Sequence, residues 1–540
     1  MTDKRKRNHY MAQGGPKMWA MYAFLFLFFI KICFMTKKTG VAGIGYFAMA
    51  FSVFMLLYFM NGTLIPDIMR KMVLFQVNRR SVRNAVRLYR VISYFSTILS
   101  GICSLVMIIL SDRISALLFR TPLLSLPIKI FGIALFCMVP QQCMKGYLEG
   151  ISSQIPGIVS MFILLFIDLV TTFILQNSCM EYGNQVAALM RNQNYYYAYA
   201  CVSGAIGLAV GSIFSFLFLL LITTLLKQMQ KERLQLDETK NSLRTSDILR
   251  NYLTNGAKEI LLNCFLPLLF FITCIMLSRS ESVSMEGAGM MFISMFAAVP
   301  VLMHGSCQGK FACKQIHSIL RKGDYSHARQ QIALHLKTML YSALFVVVFC
   351  IFAAKSFCHL FFDVTTDEML AVFRTAEIAF LLLTIAVMIL CIASSYCKNA
   401  FMSIVCLCGI LVFPVFATVF RNASLDGVRP YVSALLVSGL FMALIGGVVM
   451  LQKSHYRDDL IRVFILPCIG GVVVMLVCLI ADKIFYQKFG AMTTFLLSLL
   501  LSYISYQFVI ILTRTFDRHE WNAMPFGNVP VYLAKKLNMY

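Results

Sequence analysis

Charged residues are scarce in this sequence, and acidic residues are the scarcest. Only 13% of the 540 residues are charged, with 24 Asp+Glu against 48 Lys+Arg, whereas 59% are hydrophobic and the mean hydropathy is +0.77. A water-soluble protein of this length could not bury so much apolar surface in its core. The composition therefore excludes a soluble enzyme and predicts an all-α polytopic membrane protein.

Motifs for catalysis and metal binding are also missing. The patterns HExxH and GxSxG do not occur, and Gly305–Phe311 is one residue too short in its spacing for a phosphate-binding loop. Most of the 18 cysteines lie inside apolar runs, where they behave as small hydrophobic side chains. We therefore expect no enzyme, no catalytic residue, no metal and no bound cofactor.

The excess of basic residues does not indicate a nucleic-acid partner. Lys and Arg lie in short loops between apolar runs, which is the arrangement that membrane topology requires. The basic stretch Lys4–Arg7 precedes an apolar run with no small-residue cleavage site, so it predicts the cytoplasmic flank of a retained first helix.

Fourteen runs are long and apolar enough to cross a bilayer, which takes about 20 residues. They are 18–35, 43–66, 89–110, 122–144, 153–176, 200–226, 252–277, 287–307, 332–353, 369–392, 397–420, 431–451, 459–481 and 489–513. No stretch between them is large enough for a soluble catalytic domain.

The distribution of basic loops predicts that both termini are cytoplasmic, because basic loops stay on that side. The predicted parts are a basic N-terminus at 1–17, an N-lobe of six spans at 18–226, a cytoplasmic linker at 227–251, a C-lobe of six spans at 252–451, two further spans at 452–513 and a cytoplasmic tail at 514–540.

A weak internal repeat supports two lobes. At an offset of about 243 residues, Gly43-Ile44-Gly45 aligns with Gly287-Ala288-Gly289, and Asn61-Gly62 aligns with His304-Gly305. Because six spans are an even number, both halves insert with the same polarity. We expect two pseudo-symmetric six-helix lobes, related by an axis along the membrane normal, with two helices appended.

Several short motifs resemble a known family. They are Thr39-Gly40, Gly43-Ile44-Gly45-Tyr46, Pro66 with Lys71, and Lys145-Gly146-Tyr147-Leu148-Glu149-Gly150 followed by Pro156. They resemble the MOP exporter superfamily, in its polysaccharide-biosynthesis and stage V sporulation protein B-like branch, which is related to MurJ-like flippases and MATE antiporters. The resemblance implies a V-shaped alternating-access carrier for a lipid-linked sugar. Arginines of the relatives, in the first span and the turn after it, correspond here to Lys31 and Lys37 or to positions near them.

Cations inside the spans are the candidate cargo-binding groups. A charge in the middle of a span is costly, so Lys31 is expected to face a cavity or a partner, with snorkelling as the alternative. Lys37 and Lys258 would add positive charge for a cargo phosphate. Asn61 and its repeat counterpart His304 are candidate cavity residues, and a packing role is the alternative for His304.

Acidic residues inside the spans are the candidates for ion coupling and gating. Asp168 is the candidate for coupling to a monovalent cation or a proton, and a structural pair with Lys129 is the alternative. Three further sites are interfacial or gating candidates, and structural pairing is the alternative for them. They are Asp67 with Lys71, Glu259 beside Lys258, and Arg374 with Glu377, spaced i, i+3 and expected to pair. Lys337 is expected to snorkel.

The leading hypothesis is a flippase that moves a lipid-linked oligosaccharide or cell-wall precursor from the inner to the outer leaflet. A MATE-like cation-coupled multidrug antiporter is the first alternative, and a membrane glycosyltransferase or ligase is the second. We expect a monomer in the cell membrane, with the lipid bilayer and a lipid-linked glycan as partners and an ion gradient or the membrane potential as the driving force.

Overall fold

The computed structural model describes residues 15–151, 154–235, 237, 242–279, 285–397, 400–423, 427–456, 461–523 and 528–536. Helices make up nearly all of this part of the chain, and it contains no β-strand. The prediction of an all-α polytopic membrane protein is confirmed.

Nine α-helices precede residue 280 in the described part of the chain. They are α1 (Gly15–Asn61), α2 (Ile65–Asn78), α3 (Val82–Ile109), α4 (Ser111–Phe119), α5 (Ser125–Ile151), α6 (Ile155–Met190), α7 (Asn194–Ala200), α8 (Val202–Gln235) and α9 (Thr245–Ser278). Within α1 the backbone turns at Gly40, whose φ of 71° belongs to the left-handed region that favours glycine. Gly40 therefore divides α1 into the first two predicted spans.

The helices from residue 285 onward continue the same pattern. They are α10 (Met285–Leu320), α11 (Tyr325–Phe352), α12 (Ala354–Phe362), α13 (Asp367–Ala393), α14 (Ala400–Asn422), α15 (Arg429–Ser454), α16 (Leu466–Leu512), α17 (Arg518–Ala523) and α18 (Asn528–Lys536). Gly490, with a φ of 78°, divides α16 into the last two predicted spans.

Twelve helical segments of the described chain are long and apolar enough to cross a membrane. One of them, Ala20–Asn78, is 59 residues long and contains two predicted spans. The predicted seventh span lies on α9, where the described apolar part, Asn263–Ser278, is shorter. Each of the fourteen predicted spans therefore falls largely on a helix. The number of candidate segments is twelve because two predicted spans share one segment and the apolar part of α9 is short.

The chain forms two compact units, Trp19–Phe292 and a second that includes Ile293–Tyr540. The boundary falls inside α10, so α9 belongs to the first unit. Aromatic contacts explain this, because Tyr252 and Phe271 of α9 lie against Phe95 and Phe119, with ring centroids 6.0 and 6.4 Å apart. The predicted limits of the two lobes, 18–226 and 252–451, stay a prediction.

Two glycines that the repeat relates bring α1 and α10 into backbone contact within the first unit. A Cβ atom on Gly45 would lie 1.9 Å from the carbonyl oxygen of Met285, and one on Gly289 would lie 2.0 Å from that of Val41. Each glycine thus meets the carbonyl group four residues before the other glycine. The contact is reciprocal, as expected for equivalent parts of an internal repeat.

The segment between α8 and α9 is fastened to the beginning of α3. The Asp237 carboxylate accepts the Val82 N–H at 2.8 Å and pairs with the Arg83 guanidinium at 3.0 Å. The Leu243 N–H donates to the Asn84 side chain at 3.1 Å. Asp237 therefore acts as the N-cap acceptor of a helix more than 150 residues away.

The C-terminal tail is fastened to α11 in the second unit. Lys337 is almost fully buried, and its ammonium group donates to both carboxylate oxygens of Glu520, at 2.7 and 2.8 Å. Phe516 and Trp521 are buried beside it, and both rings contact Tyr341. The snorkelling prediction for Lys337 is wrong, because a carboxylate of the tail meets the charge inside the protein.

Candidate functional site

Lys31 and Asp168 form a buried ion pair in the first unit. The Lys31 ammonium group lies 2.6 Å from Asp168 Oδ1 and also donates to the Gly204 carbonyl oxygen at 2.8 Å. The side chains are 0% and 1% exposed. The pair joins α1, α6 and α8, and it leaves Lys31 with an acid partner inside the protein.

Glycines on α8 make room for this pair. A Cβ atom on Gly207 would lie 2.5 Å from Asp168 Oδ1 and 2.3 Å from the Thr172 hydroxyl oxygen. One on Gly211 would lie 2.3 Å from the Leu164 carbonyl oxygen. Because these positions lack side chains, α8 packs directly on α6 and water has little space at the carboxylate.

Aromatic rings complete the surroundings of the Lys31 charge. The ammonium nitrogen lies 5.4 Å from the ring centroids of both Phe28 and Phe47. At this distance the faces of the rings attract a cation. Asp168 is further supported by Thr172, whose hydroxyl donates to the Asp168 carbonyl oxygen at 2.7 Å and lies 3.4 Å from its carboxylate.

The suggested pair of Asp168 with Lys129 is wrong. Lys129 instead lies 3.4 Å from Asp112, and both side chains are well exposed. Asp112 also accepts a hydrogen bond from Ser125, and this bond, followed by the nearby Lys129 charge, lowers the pKa of the Asp112 carboxyl. The two side chains do not meet because Lys129 lies near the beginning of α5, whereas Asp168 lies in the middle of α6.

Amides and hydroxyls that the sequence analysis did not select extend the polar interior around the pair. Gln141 donates to the Ser212 carbonyl oxygen at 2.6 Å and accepts from the Ser215 hydroxyl at 3.2 Å. Ser203 donates to the Gln176 side chain at 2.5 Å. Asp168, Thr172 and Gln176 are spaced four residues apart and therefore lie on one face of α6. This spacing is visible in the sequence and could have indicated Gln176.

The other described candidates of the first unit do not join this site. Lys37 and Lys71 are exposed and Asp67 is half-buried. Asn61 donates to the Leu57 carbonyl oxygen at 2.9 Å and lies 3.5 Å from the Cys103 sulfur. The side chains of Lys258 and Glu259 lie outside the described residues.

In the second unit the expected pair of Arg374 with Glu377 is wrong. Arg374 is exposed and donates to the Ile351 carbonyl oxygen at 3.2 Å. Glu377 is 0% exposed, and neither of its oxygens has a hydrogen-bond partner among the described residues. The i, i+3 spacing allowed the pair, but packing turns Glu377 inward, toward Cys350 and Cys358. His304, half-buried on α10, follows the unit boundary.

Each unit of the structure therefore contains a buried carboxyl group, Asp168 in the first and Glu377 in the second. In the first unit, a carboxylate is neutralised by a lysine. In the second unit, a buried carboxyl group has no hydrogen-bond donor in the part of the chain that the structure describes. Among those residues, no group of three His, Cys, Asp or Glu side chains could hold a metal ion.

No sequence model of a known family matches this chain, and no curated protein sequence matches it either. Solved structures do match. The lipid II flippase MurJ in an inward closed conformation is similar with a TM-score of 0.64 and 12% identity, over 92% of this chain and 98% of that one.

Two MOP-superfamily transporters are similar as well. An inward-facing multidrug resistance MATE family transporter has a TM-score of 0.61 and 14% identity, over 79% of this chain and 94% of its own. A MOP transporter from Pyrococcus furiosus has a TM-score of 0.55 and 15% identity, over 83% and 96%. At such identities the likeness concerns the fold. The protein has the fold that the flippase MurJ shares with the MATE transporters of the MOP superfamily.

Proposed function

We propose that this protein is a flippase that moves a lipid-linked oligosaccharide or a cell-wall precursor across the cell membrane by alternating access. The observation that carries the proposal is the nearly full-length likeness to a structure named as a lipid II flippase. A cation placed inside the first unit fits an anionic cargo such as a lipid diphosphate.

Lys31 is the proposed cargo-binding cation, and Asp168 is its partner when cargo is absent. A phosphate that reaches the Lys31 ammonium group would take the place of the Asp168 carboxylate. That carboxylate would then need a proton or a monovalent cation, because a lone charge in a dry interior is costly. Cargo binding and ion binding would thus be linked at one ion pair.

The test is reconstitution of the purified protein in liposomes, with a fluorescent lipid-linked oligosaccharide diphosphate that is quenched from outside. Lys31→Met is expected to lower the rate of transbilayer movement at least 10-fold. The control is Lys129→Met, which removes an exposed lysine also paired with an aspartate, and it should transport at the wild-type rate. Equal rates for Lys31→Met and the wild type, with both proteins folded, would refute the role of Lys31.

A cation-coupled antiporter for small molecules is the second candidate, and Glu377 is the observation that favours it. A buried carboxyl group without a hydrogen-bond donor among the described residues is suited to carry a proton or to bind a cation. The discriminating measurement is efflux of a fluorescent organic cation from the same liposomes under a proton or sodium gradient. Efflux that Glu377→Gln abolishes, together with no movement of the lipid-linked sugar, would favour the antiporter.

A membrane glycosyltransferase or ligase is the remaining class. Mass spectrometry of the lipid-linked sugar recovered from the liposomes separates it from a carrier. A flippase returns the molecule with its mass unchanged, whereas a transferase or ligase alters the glycan.

A further inference from the structure

The exposed face of α3 changes from apolar to cationic along its length. Eight of its exposed side chains follow each other at intervals of three or four residues, which places them on one side of the helix. In order they are Arg83, Arg87, Arg90, Tyr94, Ile98, Ile102, Leu105 and Ile109, and Val106 beside Leu105 is exposed as well.

The spacing places the arginines at the membrane surface. At a rise of about 1.5 Å per residue, Arg90 and Ile109 are about 28 Å apart along α3. The hydrocarbon core of a bilayer is about 30 Å thick. If Ile109 lies at one boundary of the core, Arg90 reaches the headgroups at the other, with Tyr94 at the interface and Arg87 one turn farther out.

Two of these arginines keep their charge available. Arg83 is paired with Asp237, whereas Arg87 and Arg90 have no carboxylate partner in the part of the chain that the structure describes. Nearby, the Arg79 guanidinium lies 4.1 Å from the centroid of the exposed Phe75 ring, at the corner between α2 and α3. Between residues 65 and 98 the sequence contains a single acidic residue, Asp67.

We propose that Arg87 and Arg90 form a binding site for the headgroup of an anionic phospholipid. Residues three apart on a helix have Cβ atoms about 5–6 Å apart, so two guanidinium groups can hold one phosphate between them. Each guanidinium group offers two parallel donors to phosphate oxygens. The apolar stripe that begins at Tyr94 lies beside the acyl chains of the same lipid.

This site is separate from the proposed cargo site and does not depend on what the protein transports.

The experiment counts lipids on the purified full-length protein by native mass spectrometry, during titration with phosphatidylglycerol or with phosphatidylcholine. The wild type is expected to bind phosphatidylglycerol more tightly than phosphatidylcholine. In Arg87→Gln/Arg90→Gln the affinity of the first phosphatidylglycerol should fall roughly 30-fold, the loss that two surface cations at their usual strength predict. Arg87→Lys/Arg90→Lys keeps the charges and should retain most of the preference.

The matched control is Arg120→Gln/Arg191→Gln, which removes two exposed arginines elsewhere and should bind like the wild type. Comparable circular dichroism shows that all variants are folded. Equal affinity of the wild type for the two lipids, or the same loss in the control pair as in Arg87→Gln/Arg90→Gln, would overturn the proposal.

Discussion

At the scale of the residue, the main feature is the charge of Lys31 and how the protein neutralises it. Asp168, the Gly204 carbonyl group and two phenylalanine rings surround the ammonium group, so the ion pair is dry. Neutralising one partner of such a pair leaves an uncompensated charge on the other, whereas neutralising both partners leaves no buried charge.

Single substitutions at this pair are therefore expected to be worse than the double substitution. Lys31→Met or Asp168→Asn should each destabilise the protein by about 3–5 kcal/mol, while Lys31→Met/Asp168→Asn should recover most of the loss. The thermal unfolding midpoints of the three variants in one detergent provide the measurement. Additive losses in the double variant would show that the two groups do not interact.

Asp324, in the loop before α11, gives a residue-scale prediction for pH. Its carboxylate accepts the His327 N–H at 3.0 Å and the Ser326 hydroxyl at 2.9 Å, and these bonds lower its pKa. Since the pKa is lower in the folded protein, the stabilisation is present above the ordinary carboxyl pKa and is lost as the pH falls through the lowered value.

Hydrogen exchange at the first turn of α11 should therefore rise on acidification, after correction for the intrinsic rate. Asp324→Asn keeps an acceptor that does not titrate, so its exchange should depend less on acid. An unchanged acid response in Asp324→Asn would show that another group controls this turn.

At the scale of the element, the crossing of α1 and α10 depends on the absence of two side chains. Gly45→Ala would place a methyl group 1.9 Å from the Met285 carbonyl oxygen, so one helix must move. We expect a loss of about 1–3 kcal/mol, as for other overpacked sites. Gly447→Ala is the control, because a Cβ atom there meets nothing within 4 Å.

Thermal unfolding of the two variants measures the difference. Gly447→Ala should be neutral or slightly stabilising, since alanine favours a helix over glycine. A Gly45→Ala protein as stable as Gly447→Ala would mean that the two helices do not meet at these glycines.

The attachment of the tail to α11 is a second contact between elements. Glu520→Gln removes the charge that meets Lys337 and should cost about 1.5–3 kcal/mol, the usual value for a hydrogen bond to a charged group. Asp517→Asn, at an exposed position of the same segment, is the control. Limited proteolysis after residue 512 should be faster in Glu520→Gln only, and equal rates would contradict the attachment.

At the scale of the whole molecule, the proposed function requires a defined orientation in the membrane. The basic loops predict that Gly323 is cytoplasmic and that Asn192 faces the outside. Both residues are exposed, so an epitope tag inserted at either position should be tolerated. In intact cells, antibody should reach a tag at Asn192 and not one at Gly323. The reverse result would invert the proposed direction of transport.

The sequence by itself determined the class of the protein and the positions of its spans. Both depend on local composition, since some twenty apolar residues prefer lipid whatever their neighbours are. It also indicated the glycines of the repeat and the importance of Lys31 and Asp168, because a charge inside a span is costly anywhere.

The tertiary structure decided which groups meet. Lys31 and Asp168 are 137 residues apart, and Lys337 and Glu520 are 183 apart. Spacing along one helix suggested Arg374 with Glu377, but packing against other helices placed these two side chains in different surroundings. Pairing between residues far apart in the sequence depends on helix packing and register, which the periodicity of apolar residues does not encode. Only the folded chain therefore shows that the buried Lys31 is paired with Asp168.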